Sequence, residues 1–215
     1  MRGICILKIK GIIYKDVKEN FILYFLLVLA LMIGISAGAI TISVLSKDQS
    51  QSLISFLDSF FKVLNQEKID SLILLKQSIL NNIQTIILVW ILGLTVIGAP
   101  IVFVIIALRG FIVGFTVGFL INELGFKGFV FSLLTILPQN IFVIPGMIAL
   151  SVLSINFAIK IITSKRRIGK NSSFLSELTR YSIHASILSL FLFIGSLVEA
   201  YITPTFMQLL LGYVL

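Results

Sequence analysis

Residues 128–160 read GFVFSLLTILPQNIFVIPGMIALSVLSINFAIK, an apolar stretch with no charge before its final lysine. A membrane-spanning helix needs about 20 apolar residues, because each residue advances about 1.5 Å through a hydrocarbon core of about 30 Å. Two prolines and two amides lie near the middle of the stretch: Pro138, Gln139, Asn140 and Pro145. Proline removes a backbone donor, and broken backbone inside a membrane must be satisfied by protein or water. The sequence therefore predicts a half-helix, a polar break near Pro138, and a spanning helix over about 141–162.

The rest of the chain is similarly apolar. Of its 215 residues, 58% are hydrophobic and 12% are charged, and the mean hydropathy is +1.12. A soluble domain needs more polar surface than this composition provides. Other uncharged stretches of spanning or nearly spanning length occur at 21–46, 77–108 and 181–198, and a shorter one at 110–122 reaches spanning length if it continues past Glu123 to Phe126. The sequence predicts an all-α integral membrane protein, a single polytopic domain over 1–215, with about five transmembrane helices. The second span is expected near 82–108, kinked at Pro100 and followed by a turn at Arg109.

The placement of lysine and arginine predicts the orientation, because basic residues beside a spanning helix resist translocation. The segment 1–20, the turn at Arg109 and the loop 160–180 hold twelve of these residues, whereas the alternate side holds five. We therefore expect a cytoplasmic amino terminus, an outer carboxyl terminus, and basic cytoplasmic segments at 1–20 and 160–180. Anionic lipid is the expected partner of this basic surface. No nucleic acid is needed to explain the net charge of +8, because no basic patch interleaved with aromatic residues occurs.

The loop 47–82 is the one sizeable segment expected outside the membrane, and its apolar residues repeat at spacings of three and four. This period predicts an amphipathic extracytoplasmic helix between spans 1 and 2. A second helix is expected after Asp70, leading into the second span. Three aromatic side chains belong to the apolar stripe of the first helix: Phe56, Phe60 and Phe61. Two interpretations stay open, because such a face can lie on the outer leaflet or dock another protein.

Glycines recur every fourth residue in two spans. They are Gly34 and Gly38 in the first span, and Gly110, Gly114 and Gly118 after Arg109. This spacing places them on one helical face, where the missing side chains let a neighbouring helix approach closely. The pattern predicts tight helix packing at these residues. The neighbouring helix can belong to the same chain, which is the commoner arrangement, or to a second copy in an oligomer.

The chain carries no recognisable catalytic arrangement. It has one histidine and one cysteine, and we find neither a nucleophile with its base nor a phosphate loop in the sequence. His184 and Glu199 are expected near the two ends of the last span, as interfacial polar residues. Thr203 and Pro204 are expected to begin a short terminal helix, as its N-cap and first residue. We therefore predict a protein that is not an enzyme and has no cofactor or metal site.

Several motifs together resemble one family. They are WILGLTVIGAP at 90–100, LRGFIVGFTVGF at 108–119, LPQN at 137–140 and EAYITP at 199–204, with a Gly-Ala pair at Gly38. Over nearly the whole chain this pattern is similar to the stage II sporulation protein M family of endospore-forming bacteria. The wider family often has His-Gly and a later Glu where this chain has Gln139, Asn140 and Val143. No role is therefore carried over from that acidic residue.

The resemblance implies a multi-pass membrane protein at the septum between mother cell and forespore, in the engulfing mother-cell membrane. It also implies partners, stage II sporulation proteins D and P, which degrade peptidoglycan and which this protein would anchor and localise during engulfment. A non-catalytic bundle with an exposed aromatic loop is compatible with such a scaffold. Two alternatives stay open: a small-solute or lipid transporter or channel component, suggested by the broken helix and by Pro100, and a lipid-organising protein, suggested by the basic inner surface.

Overall fold

The structure is a computed structural model, and it describes residues 16–66, 71–95, 97–166 and 174–214. Their helices are α1 (Phe21–Val44), α2 (Lys47–Gln66), α3 (Ser71–Gly93), α4 (Gly98–Leu124), α5 (Phe126–Thr135), α6 (Leu137–Arg166) and α7 (Phe174–Val214), and no strand occurs in these described ranges. Among the described residues, five segments are long and apolar enough to cross a membrane: Phe21–Val44, Ser71–Gly93, Gly98–Leu124, Leu137–Thr163 and Phe174–Leu210. The prediction of an all-α multi-pass membrane protein with five spans is confirmed.

Helix α6 is the centre of the bundle. In the 18-residue apolar window of its spanning segment 61% of the residues are buried, compared with 28% or less in the corresponding windows of the other four spans. Its side chains Val143, Met147 and Leu150 form one apolar core with Leu27 of α1 and Leu192 of α7. Helix α1 packs mainly on α4, while α7 packs on α6 and α3. The bundle therefore has two sides, an α1–α4 pair and an α3–α6–α7 group.

The expected second span at 82–108 is wrong. Two helices cover this stretch instead, because α3 ends at Gly93 and α4 begins at Gly98. Pro100 lies in the first turn of α4 and not at a mid-helix kink. Backbone N–H groups of a first turn have no helical acceptor, so the missing donor of proline costs nothing there. Charge could not locate this connection, because the residues on both sides of it are uncharged.

Arg109, expected at a cytoplasmic turn, lies near the middle of the 27-residue helix α4. The third span therefore begins at Gly98 and not at Gly110. Without Arg109, the predicted cytoplasmic side still holds eleven lysines and arginines against five on the other side. The predicted orientation is unchanged and stays a prediction. We call the end of the bundle where α1 ends and α3 begins the outer end, and the opposite end the inner end.

The predicted half-helix and break are present, because α5 ends at Thr135 and α6 begins at Leu137. The expected start of the spanning helix near Ile141 is wrong, since Pro138 is the second residue of α6 and again occupies a first turn. Helix α6 then continues through Pro145 to its end. Residues 138–140 therefore belong to a helix that follows the break, and the break itself is the single residue Ile136.

The last span is longer than expected. Helix α7 has 41 residues and includes Pro204, so the short terminal helix expected at that proline is wrong. Thr203 does not cap a helix, because its hydroxyl donates to the carbonyl oxygen of Thr135 at 3.2 Å. Helices α6 and α7 also extend into the basic loop expected at 160–180. Residues 167–173 of that loop and residues 1–15 of the basic amino-terminal segment lie outside the described residues.

Helix α2 is the amphipathic helix predicted in the loop 47–82. It begins with a capping box, in which Ser46 N–H donates to Gln49 Oε1 at 3.1 Å and Gln49 N–H donates to Ser46 Oγ at 3.4 Å. Leu57 of α2 packs against Leu120 of α4 and Phe131 of α5. The helix therefore rests on the outer end of the bundle.

Candidate functional site

The α1–α4 pair is joined along its glycines. Four of them face backbone atoms of the opposite helix: Gly34 faces Ala107, Gly38 faces Phe111, Gly110 faces Leu31 and Gly114 faces Ile35. The residue numbers increase in the same direction along both helices, so the two helices run parallel. A Cβ at any of these four positions would overlap the opposite backbone, and only glycine permits the approach. We call this contact the glycine seam.

Gly118 lies at the looser end of the glycine seam. A Cβ there would be 3.1 Å from the Cα of Ala39, a tight contact that a small shift relieves. The helices therefore approach most closely in the middle of the membrane and separate toward the outer end. The seam uses both glycine motifs within one chain, so an oligomer, which stays a prediction, would have to use another surface.

Buried polar side chains join α3 to α7 in the outer half of the bundle. The Ser78 hydroxyl donates to the Glu199 carboxylate, and Asn82 Nδ2 donates to Ser196 Oγ at 2.7 Å. Ser78 and Asn82 are each 4% exposed, and Ser196 is fully buried. Hydrocarbon offers no water to such groups, so the bonds between them hold the two helices together. We call these four residues the polar layer.

Arg109 brings a positive charge to the polar layer from α4. Its guanidinium lies within electrostatic range of Glu199, which is itself half-buried beside Ser78. A charged side chain at the centre of a membrane helix costs about 2.5 kcal/mol or more, and an opposite charge reduces that cost. Glu199 was expected as an interfacial polar residue near the outer end of the last span. The structure instead connects it to α3 by a hydrogen bond and to α4 by charge.

The polar residues at the break before α6 satisfy its backbone. Asn140 Nδ2 donates to the carbonyl oxygen of Ile136 at 2.8 Å, and Thr203 of α7 donates to that of Thr135. Gln139 keeps a buried Oε1 that has no hydrogen-bond partner among the described residues. Pro145 lies one turn deeper and is exposed on the surface of α6. The carbonyl groups at the break are therefore hydrogen-bonded by Thr203 of α7 and by the side-chain amide of Asn140.

An aromatic cluster near the inner end was not predicted. The ring of Tyr181 stacks on Phe157 at 4.3 Å and on Trp90 at 6.1 Å between ring centres, and its hydroxyl donates to the Trp90 carbonyl at 2.9 Å. Close by in sequence, Lys160 and Glu177 form an ion pair at 3.0 Å. Tryptophan and tyrosine concentrate at membrane–water interfaces. The one tryptophan of the chain was the signal that could have located this boundary.

Of the three aromatic residues predicted for docking, Phe56 is 71% exposed on α2. The side chains of Phe60 and Phe61 lie outside the described residues. Leu57, the neighbour of Phe56, faces the bundle. Phe56 is therefore exposed on α2, while the adjacent Leu57 packs the helix against the bundle.

The described part of the chain offers little for catalysis. His184 is exposed, and its Nδ1 lies 2.7 Å from the carbonyl oxygen of Arg180 in the preceding turn. No group of three or more His, Cys, Asp or Glu residues that could hold a metal ion occurs in the described ranges. Arg109 and Glu199 are the most unusual charged groups among these residues, and Glu199 accepts a hydrogen bond from Ser78 of a neighbouring helix.

Comparison with known proteins gives one match. The sequence model of a protein family described as "SpoIIM: Stage II sporulation protein M" matches residues 25–204. No curated protein and no solved structure matches the chain.

Proposed function

The chain belongs to the stage II sporulation protein M family, and on that premise we propose that it is a non-catalytic membrane scaffold. In this function it anchors and localises peptidoglycan-degrading enzymes at the septum while the mother-cell membrane engulfs the forespore. Its partners are stage II sporulation proteins D and P. Membership of a family that is not a known enzyme family supports this proposal.

The position of α2 is the observation that carries the proposal. The helix lies at the outer end, where Leu57 holds it against the bundle and Phe56 is exposed on the same helix. Aromatic side chains dominate the binding energy of protein interfaces, and a preordered helix loses less entropy when it binds. An aromatic residue displayed in this way suits the docking of a protein at the membrane surface.

The bundle beneath α2 supplies a fixed base. Leu57 packs against the cluster of Leu120 and Phe131, and Met207 and Leu210 of α7 pack against the same cluster. The glycine seam holds α4, and the polar layer holds α7. A partner bound at α2 would therefore be positioned by both contacts.

Contacts at the break favour a scaffold over a conduit. Transporter sites present polar groups and broken backbone to a substrate near mid-membrane. Here Asn140 and Thr203 bond the carbonyl groups at the break, so these side chains are engaged within the protein. The transporter alternative therefore has weaker support than the scaffold.

Copurification from sporulating cells tests the proposal. We expect Phe56→Ser to lower the recovery of proteins D and P about tenfold, because the loss of one aromatic anchor commonly costs an interface that much. Phe56→Trp keeps a large aromatic ring and should retain recovery. Gln51→Ser changes an exposed residue on the polar face of α2 and is the matched control. Undiminished recovery of both proteins with Phe56→Ser would remove α2 from the docking site.

A further inference from the structure

Two adjoining grooves lie beside α7 on the exposed side of the bundle. One, of about 230 Å³, runs between α3 and α7 and is lined by Ile86, Trp90 and Ser189 among others. The second, of about 450 Å³, is a shallow, open depression on the face of α7 alone and is lined by Ile183, Ile187 and Leu190 with small polar residues. Both grooves include Ser182 and Ser186, so they form one continuous depression, which we call the α7 groove.

The α7 groove has the length of one membrane leaflet. It extends along α7 from Thr179 to Leu190, a distance of about 16 Å at 1.5 Å per residue. Half of a hydrocarbon core measures about 15 Å. The aromatic cluster of Trp90 and Tyr181 lies near its inner mouth and marks the interface there. The groove therefore begins at the inner interface and ends near mid-membrane.

The wall of the α7 groove offers few free polar groups despite its serines. The Ser186 hydroxyl donates to the Ser182 carbonyl at 2.9 Å, and the Ser189 hydroxyl donates to the Ser186 carbonyl at 2.7 Å. Their donors are thus used within α7, and the remaining lining is mainly isoleucine and leucine. Such a surface suits a hydrocarbon chain.

Charge is placed at the inner mouth of the groove. Arg180 follows Thr179 directly, is exposed, and its side chain forms no ion pair or hydrogen bond with a described residue. Lys160 differs, because Glu177 already neutralises it at 3.0 Å. The guanidinium of Arg180 can form bidentate hydrogen bonds with a phosphate group.

We propose that the α7 groove binds an anionic phospholipid of the inner leaflet, with an acyl chain along Ile183, Ile187 and Leu190 and the phosphate headgroup beside Arg180. A transmembrane helix of a partner fits less well, because it would cross both leaflets and this groove ends at mid-membrane. The inference does not depend on the scaffold function.

The chain contains its own probe for this test, because Trp90 is its one tryptophan and lines the groove. The full chain is reconstituted in phosphatidylcholine vesicles, and phosphatidylglycerol or phosphatidylcholine with brominated acyl chains is added at equal mole fractions. Bromine quenches tryptophan fluorescence on contact. We expect phosphatidylglycerol to associate about fivefold more strongly than phosphatidylcholine, since one basic residue near a membrane surface contributes that factor. High salt should reduce the preference.

Variants distinguish a defined lipid-binding site from a general attraction of anionic lipids to a basic surface. Arg180→Gln should abolish the preference, and Arg180→Lys should keep most of it. Ser186→Phe fills the groove and should reduce quenching by both lipids. Lys76→Gln removes an exposed lysine near the outer end and should change nothing. Equal quenching of the unaltered protein by both lipids, or a preference that survives Arg180→Gln, would overturn the proposal. If a copurified protein protects Trp90 from quenching by both lipids, the proposal is wrong and the groove binds a partner helix.

Discussion

The glycine seam and the polar layer join helices in the same bundle by opposite means. In the seam, the backbones of α1 and α4 touch because side chains are missing, and no side-chain hydrogen bond between described residues crosses the contact. In the polar layer, side chains cross from α3 to α7 and bond each other. Backbone atoms cannot move aside, whereas side chains can find new partners. We therefore expect the seam to tolerate change less well than the layer, although the layer contains the charge of Glu199.

The largest effect is expected from Gly114→Ala in the glycine seam. The added Cβ would meet the backbone of Ile35, so the helices must separate along the whole seam. We expect a loss of about 3 kcal/mol in the free energy of unfolding, the upper end of the range for overpacked cores. Unfolding of the purified chain in detergent micelles, followed by circular dichroism during titration with a denaturing detergent, measures this loss.

Gly118→Ala is the matched control. Its Cβ would lie 3.1 Å from the Cα of Ala39, where a shift of a few tenths of an ångström relieves the contact. We expect a loss below about 1 kcal/mol. Equal losses for the two glycines would mean that the close approach in the middle of the seam does not determine the stability of the α1–α4 pair.

The second largest effect is expected in the polar layer, from Glu199→Gln. This change leaves the charge of Arg109 without compensation inside the bundle, and we expect a loss of about 2 kcal/mol. The double variant with Arg109→Gln should recover much of it, because the uncompensated charge is then gone as well. The same unfolding measurement gives a double-mutant cycle. If the two losses simply add, Arg109 and Glu199 do not interact.

The sequence predicted the glycine seam better than the polar layer, for a physical reason. A spacing of four places Gly110 and Gly114 on one face of any helix, so their shared surface follows from local geometry. The predicted number of spans is correct, but the bounds of the second and third spans are not, because α3 includes Lys76 and α4 includes Arg109 and Glu123. The seam's partner helix did not follow, because nothing local to α4 indicates that α1 lies against it.

The polar layer depends on residues that are far apart in the chain. Ser78 and Glu199 meet only after five spans have packed, and no periodicity connects them. Arg109 was misplaced because a charge at the end of an apolar stretch usually marks a membrane boundary. At this position a charge on another helix reduces its cost, and that compensation cannot be recognised until both helices are placed. The turn between Gly93 and Gly98 was missed for a related reason, since no charge marks it.

A smaller effect is expected from Asn82→Leu. The change removes the bond from Asn82 to Ser196 Oγ, but the Ser196 hydroxyl keeps its own bond to the Leu192 carbonyl at 3.2 Å. Hydrogen bonds between membrane helices contribute about 0.6 kcal/mol on average, up to about 1.7. We therefore expect a loss of about 1 kcal/mol in the same unfolding assay.

Asn81→Leu is the matched control for Asn82→Leu, because Asn81 is exposed and bonds Gln77 on the same helix. It should leave stability nearly unchanged. A loss for Asn82→Leu as large as that for Gly114→Ala would reverse the comparison and make the hydrogen bonds of the layer the stronger contact.

The smallest effect is expected where α7 meets the break, from Thr203→Val. Valine keeps the shape of threonine but cannot donate to the Thr135 carbonyl, so we expect a loss of about 0.5 kcal/mol. Thr205→Val is the control, because that hydroxyl bonds only the Tyr201 carbonyl of its own helix. Proline at 204 has no N–H, so α7 has one backbone bond fewer at this level. A loss for Thr203→Val equal to that for Asn82→Leu would contradict this expectation. Side-chain hydrogen bonds would then stabilise α7 equally at the polar layer and at the break.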